Sequence, residues 1–276
     1  VSPEQLKLCH EAGINRISFG LQSTVQQELD MLGRIHTYEE FLQSYHWARE
    51  AGISNINVDL MFAIPGQTCE SWKHNLETVA ELSPEHISAY SLIIEEGTPF
   101  AQKKLILPTE DEEYQMYEDT AEILRKYGFH QYEISNYARD GFECRHNKGY
   151  WQRTEYLGAG LGAASLFRGK RFSNTRDMQT YLADSTEPEK IREDVTALSR
   201  NNEIEEFMFL GLRMTEGISE RQFERNFGCR IEDIYGSVLA KYKEMDLLEH
   251  TGEFWRFTRK GIHVSNPVLA DFLLDE

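Results

Sequence analysis

Eight consecutive residues, Cys144-Arg145-His146-Asn147-Lys148-Gly149-Tyr150-Trp151, set an imidazole among flat rings and cations. A neutral imidazole near pH 7 ligates metals. Tyr150 and Trp151 offer aromatic faces beside it, and Arg145 and Lys148 offer partners for carboxylates. An axial donor, aromatic walls and cations for propionates are what an iron porphyrin requires, so His146 is a candidate ligand of haem iron. A structural histidine is the alternative. A zinc site of His130, Cys144 and His146 is a third reading, but it lacks a fourth ligand in view. No Cys-x-x-Cys-His occurs, which excludes ordinary c-type haem attachment.

Two further groups could do chemistry. Gln22 closes one predicted strand, Asp59 lies on the polar side of the next, and Arg34 follows Gln22 after one short helix. Ligands of parallel βα folds bind beyond the C-terminal ends of the strands. An amide, a guanidinium and a carboxylate there could hold a polar ligand; satisfied interior polar groups are the alternative. Gly158-Ala159-Gly160-Leu161-Gly162-Ala163 formally fits G-x-G-x-x-A, but Phe167-Arg168-Gly169-Lys170 after it is not helical. A close-packed backbone is therefore a better reading than a dinucleotide site.

The elements that must position these residues read clearly in the first hundred positions. Ser2-Pro3 with Gln5, and Thr37 with Glu40, are helix starts. Strands are predicted over 14–22, 53–64 and 86–94, with helices near 25–32, from Thr37 to Gly52, and from Thr68. Strands alternating with helices imply parallel βα units. Thr109 and Glu112 open a further helix that ends at Gly128, and 129–137 reads as a strand. Residues 138–175 show no helical periodicity. Helices follow at about 201–213, 218–227 and 231–246, then a hairpin around Thr251-Gly252 and a last helix holding Val268 and Phe272. Helices followed by a hairpin suggest a winged-helix-like module.

Composition narrows the classes. With 29 basic and 46 acidic side chains among 276 residues, the net charge of −17 repels a phosphate backbone and argues against nucleic acid as a partner. No apolar run approaches the roughly 20 residues of a spanning helix, and no signal peptide is visible. Cys9, Cys69, Cys144 and Cys229 are scattered, which fits a reducing compartment, the cytoplasm. The chain opens at Val1 directly on a helix signal, so it reads as a fragment with strands expected before it.

Arg16-Ile17-Ser18-Phe19-Gly20-Leu21-Gln22-Ser23, Leu32-Gly33-Arg34, Val58-Asp59-Leu60-Met61 and Pro65-Gly66-Gln67-Thr68 resemble the oxygen-independent coproporphyrinogen III oxidase-like branch of the radical SAM superfamily. Tyr132-Glu133-Ile134-Ser135-Asn136-Tyr137-Ala138 and the H-N-x-x-Y-W motif at His146–Trp151 are similar to the haem chaperones within that branch. The resemblance implies an α/β fold: a partial (β/α)6 barrel, truncated at the N-terminus, with a C-terminal α+β, winged-helix-like domain. It divides the chain into 1–108, the second half of the barrel; 109–190, a connecting α+β region with the motif; and 191–276, the C-terminal module. It implies that Gln22, Arg34 and Asp59 contact S-adenosylmethionine. It implies that His146, Asn147, Tyr150 and Trp151 contact haem, with His146 on the iron. The family's three cluster cysteines and Gly-Gly motif are absent and are expected upstream of Val1, so the [4Fe-4S] ligands lie outside this chain and the barrel edge should be exposed. The implied function is a haem chaperone that passes haem to an apo-haemoprotein, a respiratory one among the candidates, with membrane contact no more than transient. The alternative is oxidative decarboxylation of coproporphyrinogen III.

Overall fold

The computed structural model describes residues 1–98 and 100–274. Their contacts divide the chain into two units, 1–143 and 144–276.

The first unit begins with α1 (Pro3–Glu11), β1 (Arg16–Gln22), α2 (Gln26–Met31), α3 (Tyr38–Glu50), β2 (Asn55–Phe62), α4 (Cys69–Glu81) and β3 (His86–Ser91). The capping boxes Ser2/Gln5 and Thr37/Glu40 form as the sequence predicts, and Thr109/Glu112 opens α5 (Glu110–Lys126) in the same way. Each such cap is worth about 1 kcal/mol. Strands β1, β2 and β3 run parallel, and the sheet continues through β5 (Asn136–Ala138) to β4 (His130–Glu133), both antiparallel to their neighbours. Among the described residues β1 and β4 are the edge strands of this sheet.

Period-two alternation splits this sheet into two chemistries. Ile56, Val58, Leu60, Ile87 and Ala89 pack beneath Phe41 and Tyr45 of α3, Trp72 and Leu76 of α4, and Met116 and Leu124 of α5. Trp72 donates its indole N–H to the Met116 carbonyl and to Thr120 Oγ1, both at 2.9 Å, which ties α4 to α5. The other side of the sheet carries Ser18, Asn57, Asp59, His86, Ser88 and Asn136.

The second unit contains α6 (Arg145–Trp151), β6 (Ala164–Phe167), β7 (Lys170–Asn174), α7 (Met178–Asp184) and β8 (Arg192–Ala197), with β6-β7-β8 forming one antiparallel sheet. It then runs through α8 (Arg200–Gly211), β9 (Ile218–Ser219), α9 (Glu220–Phe227), α10 (Ile231–Glu244), β10 (Leu248–Thr251), β11 (Phe254–Phe257), α11 (Arg259–His263) and α12 (Ser265–Ala270). Helices α8–α10 on the sheet β10-β11-β9 make the winged-helix-like module. Its core joins Ile204, Met208, Phe223, Tyr235, Leu239, Trp255 and Phe272.

Two local expectations need correcting. The single strand expected over 129–137 is a hairpin: Glu133 accepts from the Asn136 side chain and from the Ser135 amide at 3.2 Å, and these bonds hold a tight turn without glycine or proline. The stretch 138–175 is not without helix. It contains α6, and it also contains a β6–β7 turn at Arg168-Gly169, where both residues have positive φ (50° and 67°) as a two-residue type I′ hairpin requires.

Candidate functional site

The polar trio expected at the strand ends is organised around a residue the sequence did not single out. Gln22 is buried at the end of β1 with φ 74°, beside an irregularity in the β1–β2 register. Its Oε1 accepts from the Tyr90 hydroxyl of β3 at 3.0 Å. Gly20 makes room for the amide: a Cβ there would lie 3.1 Å from Gln22 Nε2. Burial raises the Tyr90 hydroxyl above its ordinary pKa and the Asp59 charge adds to the rise, while the Gln22 bond and the Arg34 charge oppose it. Gln22, Asp59 and Arg34 therefore all act on one phenol. Arg34 sits on an exposed turn and lines a cavity of about 320 Å³ with Met61, Leu92, Ile94 and Phe100; Gln22 and Asp59 are not among its walls.

Asp59 is held by a hydrogen-bonded chain across the sheet. Its carboxylate accepts from Ser18 at 3.2 Å and from Asn57 Nδ2 at 2.7 Å. Asn57 Oδ1 lies 2.6 Å from His86 Nδ1, and His86 Nε2 lies 2.8 Å from the Tyr132 hydroxyl. The Asn57 orientation makes Nδ1 the protonated nitrogen and Nε2 the acceptor. Burial, helped by the Arg16 charge, lowers His86 to about 3, so this imidazole stays neutral. Ser88 donates to Asn136 at 2.7 Å and extends the chain to β5.

Beneath the rim, Glu28 of α2 is a buried carboxylate with four donors. Ser23 Oγ reaches it at 2.6 Å, Gln67 Nε2 at 2.9 Å and Asn75 Nδ2 at 3.1 Å, and Ser71 Oγ binds its other oxygen. Buried carboxylates need such partners. Ser23 follows Gln22 directly, so the cluster fixes the loop that leaves β1.

In the second unit His146 is exposed on α6, and among the described residues no side chain hydrogen-bonds its ring nitrogens. Its ring meets Tyr150 edge-on at 4.6 Å, and Tyr150 meets Tyr156 at 4.7 Å. Trp151 is not part of that row. At about 100° per residue, positions four apart share a helix face, whereas positions five apart diverge by about 140°. Trp151 instead packs under Arg213, whose guanidinium carbon lies 4.6 Å from the ring centroid. Asn147 is partly buried next to His146. Arg153, just past α6, donates to Glu206 of α8 at 2.9 Å, and Arg171 donates to the other oxygen at 2.6 Å. Burial acts to raise the Glu206 carboxyl, but the two arginines outweigh it and hold it below its ordinary value.

The other candidates resolve plainly. His130 faces Asp140 at 3.2 Å and Glu143 at 3.0 Å, and no group of three His, Cys, Asp or Glu that could hold a metal ion occurs among the described residues, so the zinc reading fails. In the glycine stretch the Gly158 and Gly160 amides donate to Ser165 Oγ and Tyr181 Oη, and β6 rather than a helix follows. A Cβ on Gly158 would lie 2.3 Å from the Ala164 carbonyl oxygen, which explains the glycine by close packing.

With this geometry in hand, comparison with known proteins is decisive. Residues 1–79 match the radical SAM superfamily, and residues 198–264 match the HemN C-terminal domain. Heme chaperone HemW of Lactococcus lactis is 38% identical over 280 residues, covering 100% of this chain and 73% of the relative. Heme chaperone HemW of Bacillus subtilis is also 38% identical, covering 99% of this chain and 73% of the relative. The chain belongs to the HemW family of haem chaperones. Coproporphyrinogen III oxidase (HemN) from Escherichia coli, a radical SAM enzyme, superposes with a TM-score of 0.83 over 99% of this chain and 67% of its own, at 21% identity, and so shares the fold. For a HemW-family chain, radical SAM membership implies S-adenosylmethionine and a [4Fe-4S] cluster. Gln22, Asp59, Arg34 and Tyr90 supply the amide, carboxylate, cation and hydroxyl that suit the polar groups of S-adenosylmethionine. The cluster has no matching ligand set among the described residues. No described helix is long and apolar enough to cross a membrane.

Proposed function

We propose that the protein binds haem at His146 and hands it to an apo-haemoprotein. The carrying observation is an exposed imidazole that has no hydrogen-bond partner among the described residues and meets Tyr150 edge-on, in a chain that is 38% identical to haem chaperones. A ligand that is to be given up is served by an accessible donor. Tyr150 offers a ring edge for the porphyrin, and Arg145 and Lys148 offer charges for propionates. By resemblance to the family Asn147 and Trp151 belong to the contact set as well, although Trp151 leaves α6 on a different side from His146 and packs under Arg213.

On the same reading Gln22, Arg34 and Asp59 contact S-adenosylmethionine, which when bound supplies a sulfonium nucleotide to the strand-end rim. Asp59 accepts from its hydroxyl or amino groups while Ser18 and Asn57 hold the carboxylate still. The acceptor is an apo-haemoprotein, a respiratory one being a candidate, and the setting is the cytoplasm.

Hemin titration tests the haem contact. The wild-type chain should develop a shifted Soret band that saturates, and His146→Ala should weaken binding at least tenfold. An unchanged band and affinity in His146→Ala would reject His146. Equilibrium dialysis with S-adenosylmethionine should show at least tenfold weaker retention for Asp59→Ala.

A further inference from the structure

The second unit contains a cleft of about 470 Å³ that the His146 row leaves unused. Trp151, Phe207, Met214 and Ile218 give it apolar walls, Arg153, Arg221 and Arg225 add cations, and Glu216 and Glu253 add carboxylates. That volume falls within the range of small-molecule sites, about 300–1,000 Å³. Neither an imidazole nor a thiol lines it.

Three observations show what is missing. Among the described residues the buried Trp151 Nε1–H has no hydrogen-bond partner, and neither has Nε of Arg213, which packs on the same indole. Buried donors are almost always satisfied, so two orphans side by side call for an acceptor. Arg221 is already paired with Glu253 at 3.0 Å. Arg225 has no carboxylate partner among the described residues. The cleft therefore sets apolar surface beside the Arg225 guanidinium, a donor for an anionic oxygen, while Arg221 neutralises Glu253, as a flat apolar acid requires.

On the haem reading above, we propose that this cleft binds the carboxylate edge of a tetrapyrrole, recognising the organic frame and not the metal. The Arg225 guanidinium binds a propionate, and Trp151, Phe207, Met214 and Ile218 meet the ring system. The cleft is distinct from the His146–Tyr150 row because Trp151 leaves α6 on a different side.

Metal-free protoporphyrin IX is the probe, followed by emission anisotropy with the whole chain. Wild type should bind it, and Arg225→Gln and Trp151→Phe should each weaken binding at least tenfold. Arg225 is exposed, so Arg225→Gln should fold and melt as wild type does. Arg230→Gln, at an exposed cation elsewhere, should change affinity less than twofold. The dimethyl ester should bind wild type at least tenfold more weakly than the free acid and be indifferent to Arg225→Gln. Free-acid affinity unchanged in both cleft variants, or equal affinity for acid and ester, overturns the proposal. Hemin titrated in parallel separates the readings. His146-dependent hemin binding with unaffected cleft variants sinks the cleft alone. A hemin Soret band and affinity unchanged in His146→Ala, with the free acid still held through Arg225, sink the His146 reading and leave the cleft.

Discussion

Asn57 has named partners at both ends of its amide, Ser18 and Asp59 on the nitrogen and His86 on the oxygen, whereas His146 has none on either ring nitrogen among the described residues. The first arrangement fixes a carboxylate, Asp59, in one geometry through a chain that runs over three strands. The second leaves an imidazole free on a seven-residue helix, held from behind by Arg153–Glu206 and by Trp151 under Arg213. Rigid preorganisation suits a site that must orient a ligand; accessibility suits one that must receive and release it. The contrast teaches that the two candidate sites should respond oppositely to truncation. The sheet face should lose stability, and α6 should lose binding alone.

The largest expected effect is at Asn57. Asn57→Ala strands His86, Ser18 and Asp59 together, and should cost about 2–4 kcal/mol in urea unfolding. His86→Ala leaves the Tyr132 hydroxyl and the Asn57 carbonyl without their ring partner and belongs in the same range.

Acid should sharpen the comparison next. The folded His86 pKa, about 3, lies below the ordinary histidine value of about 6.5, so between these limits the unfolded chain takes up a proton that the folded chain refuses. Stability should therefore fall as pH drops from about 6.5 towards 3, by up to about 1.4 kcal/mol per unit from this group. A His86→Gln chain should lack that portion of the slope; an identical slope would show that His86 is not the titrating group.

Glu206→Gln should cost about 1–3 kcal/mol, because Arg153 and Arg171 lose their common carboxylate at a half-buried site. Thermal melts can read this directly. Smallest of all, Tyr150→Ala should shift stability by less than about 1 kcal/mol, since the ring is 36% exposed. If Tyr150→Ala destabilised as much as Asn57→Ala, the division into a rigid site and an accessible site would be broken.

The βα order was legible because β1 and β2 alternate apolar and polar residues and α1, α3 and α5 carry capping boxes, two signals that agree. The end of β1 at Gln22 and the polar face of β2 at Asp59 were legible from the same alternation. Tyr90 was not, because in His86–Ser91 polar and apolar groups mix, and only the fold shows that its hydroxyl reaches Gln22. The β4–β5 turn escaped because Glu133 stabilises it with a side chain, leaving no glycine or proline to mark it. Helix α6 escaped because it has seven residues, a glycine inside it and no side-chain cap at Cys144. The divergence of Trp151 from His146 follows from helical angle, which becomes usable only once that segment is known to be helical.

The Glu28 cluster has one more consequence. Ser23, Gln67, Ser71 and Asn75 come from three separate segments yet converge on one carboxylate. Replacing any of them singly leaves the acid short of a donor, and replacing the acid leaves four donors idle. A lineage can alter these positions only in concert, so divergent relatives should either keep the quintet whole or exchange it as a block.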